Sequence, residues 1–136
     1  MNRLISILLF LFISLTPYLS LASKEITLSK EHKAKLERLA QRMADDISQR
    51  GIKTVEIRDF TDLKGRSRRL EKAITLRFKK ALIRASKGRF SVVANKGEIL
   101  IKGTVLPYKE KERFDLKIEL ISNGTVLSTY SSIFKE

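Results

Sequence analysis

The sequence predicts an α/β domain: a mixed five-stranded sheet, one strand–helix–strand unit followed by an antiparallel meander, with helices packed on the sheet. Three observations lead there. Two stretches repeat apolar residues at three- and four-residue steps, the period of a helix with one buried face. Five shorter stretches read as strands, most of them alternating apolar with polar side chains. Asn123-Gly124 separates the last two, and that dipeptide favours the two-residue turn whose twist suits a hairpin.

The elements follow in order. Ser29 supplies an N-cap for a first helix whose stripe is Leu36, Leu39, Ala40, Met43 and Ile47. Gly51 ends it, because glycine turns left-handed without a side-chain clash, and Ile52 can fold back on the last turn. Thr54 to Phe60 alternates around Val55 and Ile57 and predicts a strand. A polar loop, 61–66, contains Gly65. Ser67 is then expected to cap a second helix with the stripe Leu70, Ile74, Phe78, Ala81, Leu82 and Ala85, closed by Lys87-Gly88. Strands are predicted over 90–94, 98–106 with a stop at Pro107, 113–121 and 125–134. The strand–helix–strand unit should be parallel and right-handed, and the remaining strands antiparallel.

Residues 1–22 read as a secretory signal. Arg3 gives a positive start, large apolar side chains run from Leu4 to Leu15, and Thr16-Pro17 breaks any helix. Ser20-Leu21-Ala22 places small residues where a signal peptidase needs them, predicting cleavage after Ala22. The apolar core falls short of the roughly 20 residues that span a bilayer. Counting on through Leu19 and Leu21 leaves an uncleaved anchor as the alternative. Residues 23–32 then form a leader and the start of the first helix, and 33–136 a single domain.

The chain has no cysteine, which excludes a disulfide framework, a thiolate nucleophile and a zinc–cysteine site. It also excludes the lipid-bearing cysteine that tethers a bacterial lipoprotein. The formal net charge is +13, and Arg3 is the one charged side chain of residues 1–22. So basic a domain attracts polyanions. For an exported protein these are envelope surfaces, namely anionic lipid, lipopolysaccharide phosphates or an acidic protein face, and not nucleic acid.

Several segments resemble a known family. Val55-Glu56-Ile57-Arg58-Asp59-Phe60 before a polar loop, the helix 67–85, and Arg89-Phe90-Ser91-Val92-Val93 carry part of the likeness. Glu98-Ile99-Leu100-Ile101-Lys102-Gly103 and Ser122-Asn123-Gly124-Thr125-Val126-Leu127 carry the rest. In order and spacing they resemble the FlgO, LpoB and CsgG group of bacterial envelope proteins, whose domain is also similar to the N-terminal domain of TolB. The likeness covers about residues 33–134. It implies a non-catalytic protein of the periplasm, or of the periplasmic side of a Gram-negative outer membrane. It further implies service to a flagellar, secretion or peptidoglycan-synthesis assembly. Three features depart from the pattern: no lipidated cysteine, no long amphipathic insertions that could form a pore, and only Asn95-Lys96-Gly97 where relatives often insert a helix.

No nucleophile elbow, phosphate-cradling glycine loop or dinucleotide fingerprint occurs, and no catalytic, metal or cofactor site is predicted. His32 is the one histidine; among lysines in the first helical turn it is expected to be solvated. Asp45-Asp46 diverge by about 100° on a helix and are expected to be surface charge.

Two features point to binding. Lys64, Arg66, Arg68 and Arg69, with Ser67 among them, crowd the start of helix two, where the helix dipole is already positive. They form either a receptor for an anion or an acidic partner, or a solvated basic loop. Leu76 and Ile83 lie nearly opposite the core stripe, among Lys72, Lys79, Lys80 and Lys87. That face suits an anionic membrane or an acidic protein groove, unless helix one packs over the two aliphatics. The expected function is an accessory or assembly factor that binds another envelope component. The alternative is a basic peripheral binder of anionic lipid or lipopolysaccharide.

Overall fold

Asn123 and Gly124 both adopt positive φ, 50° and 79°, and join two antiparallel strands paired Ser122 to Thr125. The computed structural model describes residues 28–108 and 113–135. The expected signal and cleavage point, with residues 23–27, lie outside them. The element order is α1 (Lys30–Gln49), β1 (Thr54–Ile57), α2 (Arg69–Ser86), β2 (Ser91–Val93), β3 (Ile99–Pro107), β4 (Phe114–Ser122) and β5 (Thr125–Phe134). The sheet order is β2-β1-β3-β4-β5. β1 runs parallel to both β2 and β3, while β3, β4 and β5 form an antiparallel meander. This is the expected fold class.

The helix ends follow local chemistry. Ser29 Oγ accepts the His32 backbone N–H at 3.1 Å, and Ile52 N–H returns to the Ile47 carbonyl at 3.2 Å beyond Gly51. Both helices cover one face of the sheet. Leu36, Met43 and Ile47 of α1 and Ile74, Phe78 and Leu82 of α2 are fully buried with Val55, Ile101 and Ile118 of the strands. On β3 and β4 the intervening residues, among them Lys102 and Lys117, look away from that core.

Two glycines explain how the sheet closes. The link from β2 to β3 is short, yet β3 lies on the far side of β1. The chain therefore crosses directly over β1. A side chain at Gly97 would come within 2.7 Å of the Glu56 backbone nitrogen, so only glycine permits the crossing. Glu98 N–H donates to Thr54 Oγ1 and Lys53 N–H to Glu98 Oε1, pinning it. Gly103 leaves room for the buried Phe60 ring, which a Cβ there would meet at 2.4 Å.

Two expectations are corrected. The first strand was expected to reach Phe60 but ends at Ile57. Phe60 turns its N–H out of the ladder to Thr75 Oγ1 of α2 at 2.8 Å, and pairing resumes only as a Thr61–Thr104 bridge. Ser67 does not cap α2. The cap position falls on Arg68, without a side-chain hydrogen bond, because the preceding loop is folded on Asp62 and delivers the chain one residue later.

Candidate functional site

Asp62 organises the basic loop. Its Oδ1 accepts the backbone N–H groups of Lys64 and Arg66, each at 2.9 Å, and its Oδ2 accepts Arg66 Nε at 3.1 Å. Arg68 Nε stands 3.9 Å from the same Oδ2. The Arg66 backbone N–H, foremost, holds the Asp62 carboxyl below its usual range, with help from the Lys64 N–H and the Arg66 charge; desolvation opposes them. The loop thus gathers Lys64, Arg66 and Arg68 round one carboxylate, and Arg69 begins α2 beside them. Ser67 Oγ has no hydrogen-bond partner among the described residues. Glu71 is buried in the first turn of α2.

The outer face of α2 is open. Leu76 is 55% and Ile83 50% exposed, and Lys72, Lys79, Lys80 and Lys87 are exposed around them. The two aliphatics stand about 10 Å apart along the axis, at 1.5 Å per residue. Helix α1 does not cover them, because it is drawn to the neighbouring side of α2. There Glu37 accepts Arg84 at 2.7 Å and Arg77 at 3.5 Å, and Asp45 pairs with Arg89. None of the four lysines forms an ion pair with a described residue.

His32 and Asp46 correct the sequence-based expectations. His32 is only 2% exposed. It meets the stacked Phe114–Phe134 pair edge-on, and Nε2 lies 3.1 Å from the Lys135 carbonyl, to which it donates. Its position was legible: His32 lies one helical step before Leu36 on the apolar stripe. Asp45 and Asp46 diverge as expected, but Asp46 ties α1 to β5. It accepts Tyr130 Oη at 2.5 Å, Ser128 Oγ at 2.8 Å and Arg50 Nε at 2.9 Å. Burial raises the Asp46 carboxyl, and these three partners outweigh it, leaving it below its usual range.

Asp62 and Leu63 were not singled out in the sequence. Aspartate two residues before a loop amide is a turn signal, and Leu63, 75% exposed, breaks an otherwise polar loop. Among the described residues no group of acidic, histidine or cysteine side chains is placed to hold a metal ion. No helix among them is long and apolar enough to cross a membrane.

Fold and surface together define a small α/β domain whose helical layer presents a cationic face with exposed aliphatics. No family model matches the chain, and no curated protein sequence matches it. Among solved structures it is similar to the LpoB C-terminal domain from Salmonella enterica. The likeness is at 11% identity, covers 71% of this chain and 96% of that one, and has a TM-score of 0.48.

Proposed function

We propose that the chain is an exported, non-catalytic accessory protein of the bacterial envelope that binds an acidic surface of another envelope component through the outer face of α2. Its place is the periplasm or the periplasmic side of the outer membrane, in a flagellar, secretion or peptidoglycan-synthesis assembly. The signal-like start and the family-like segments support the address. The single observation that carries the binding role is the exposed Leu76–Ile83 pair set among four lysines without described acidic partners.

Burying the exposed parts of the two side chains would contribute about 2 kcal/mol. The lysines add attraction and orientation more than affinity. The second reading, a charge-driven binder of anionic lipid or lipopolysaccharide, uses the same face and differs in its response to salt.

The test replaces Leu76 and Ile83 together by serine, which leaves every lysine in place. Retention of the exported protein by washed envelopes should fall about tenfold, roughly the 1.4 kcal/mol that a tenfold change represents. Retention that survives the double substitution but disappears at high salt would favour the lipid reading. Retention unchanged by either treatment would dismiss this face.

A further inference from the structure

The basic loop and the end of β3 enclose an open cleft of about 660 Å³, inside the roughly 300–1,000 Å³ range of ligand pockets. Its apolar lining is made by Leu63, Leu70, Val105, Leu106 and Pro107. Its rim is made by Lys64, Arg66 and Arg68. Arg66 and Arg68 turn only Nε toward Asp62 and are 50% and 60% exposed. Their Nη groups carry no hydrogen bond to a described residue. Asp62 is committed to the loop's own amides, and Glu71 is buried. Among the described residues, the charge that the cleft shows outward is therefore cationic, beside an apolar lining.

We propose that this cleft takes an acidic peptide segment carrying an apolar side chain. Its carboxylates would pair with the Nη edges of Arg66 and Arg68, a charge-assisted and fork-like contact. The apolar side chain would lie on Leu106, Pro107 and Leu70. The rim cations beside apolar side chains match a peptide that carries both a carboxylate and an apolar residue. The inference rests on reading the chain as a binding protein, but it uses residues apart from the Leu76–Ile83 stripe.

The test measures binding of a fluorescent peptide of glutamates with two leucines to the purified exported protein. Comparison probes are the same peptide with serine for leucine, and vesicles of phosphatidylglycerol. The leucine peptide should bind about tenfold more tightly than the serine peptide. Leu106→Asp and Arg68→Gln, at exposed positions that need not disturb folding, should each weaken it about five- to tenfold. The pair Lys102→Gln and Lys117→Gln removes charge at two sheet positions outside the cleft lining and should change binding less than about twofold. Equal binding of the two peptides, or equal weakening by the sheet-face pair, would reduce the site to diffuse charge and overturn the proposal. So would vesicle binding, lost in Leu63→Asp, with no binding of either peptide, which would make the cleft and its loop a membrane contact. Serine at Leu76 and Ile83 should leave peptide binding intact, so failure at the cleft and failure at the stripe are separable.

Discussion

Phe60 joins three parts of the fold at one residue. Its ring fills the space left by Gly103 and lies 5.6 Å from the Phe78 ring, while its N–H reaches Thr75. Gly103→Ala should therefore destabilise the domain by about 2–3 kcal/mol, the cost of overpacking a closed core. Adding Phe60→Leu should recover part of that loss, measured as a non-additive double-mutant cycle in urea unfolding; strict additivity would show that the ring is not the obstacle. Tyr130 carries a second prediction. Burial, foremost, and the Asp46 hydrogen bond raise its hydroxyl pKa, so the stability it contributes is present below about pH 10 and lost as pH rises through the folded value. Asp46 is depressed instead, so its share is present above its unfolded value and lost as pH falls through the folded one. Tyr130→Phe should cost about 1 kcal/mol at neutral pH, and less in acid, where Asp46 is protonated. An equal cost at pH 7 and at a pH low enough to protonate Asp46 in the folded domain would remove the carboxylate from the account. His32 teaches a further lesson at this scale. Lysine neighbours suggest solvent, but spacing decides, and the stripe runs through it.

At the scale of elements, the readable features are those governed by near neighbours. The Ser29 cap, the Gly51–Ile52 ending and the Asn123-Gly124 hairpin all depend on residues a few positions apart, and each stands where the sequence places it. Gly124→Val should cost on the order of 1–2 kcal/mol, because a β-branched residue must adopt φ near 79°. Thermal unfolding would show it, and an unshifted midpoint would mean that the turn relaxes freely. Features set by distant partners were hidden. The truncation of β1 depends on Thr75, the start of α2 depends on Asp62, and the crossing over β1 depends on Gly97 meeting Glu56. The candidate site divides in the same way. The cations of the loop and the stripe were visible as a pattern, whereas the cleft needs the end of β3 brought beside the loop. Whether α1 would cover Leu76 and Ile83 turned on where Glu37 meets Arg77 and Arg84, and no spacing rule gives that.

At the scale of the whole molecule, one sheet face is covered by two helices, and the second helix presents a row of lysines round two exposed aliphatics. A net charge of +13 draws the protein toward any anionic surface, so bulk attraction alone cannot establish a specific contact. Position-resolved contact can. The decisive measurement places a photo-crosslinking side chain at Leu76, Ile83, Thr104 or Val126 of the protein in intact cells and compares the adducts. The account predicts a discrete protein adduct from positions 76 and 83, persisting in moderate salt, and none from 104 or 126 on the opposite sheet face. Adducts that form equally from all four positions, or only from the sheet face, would contradict it.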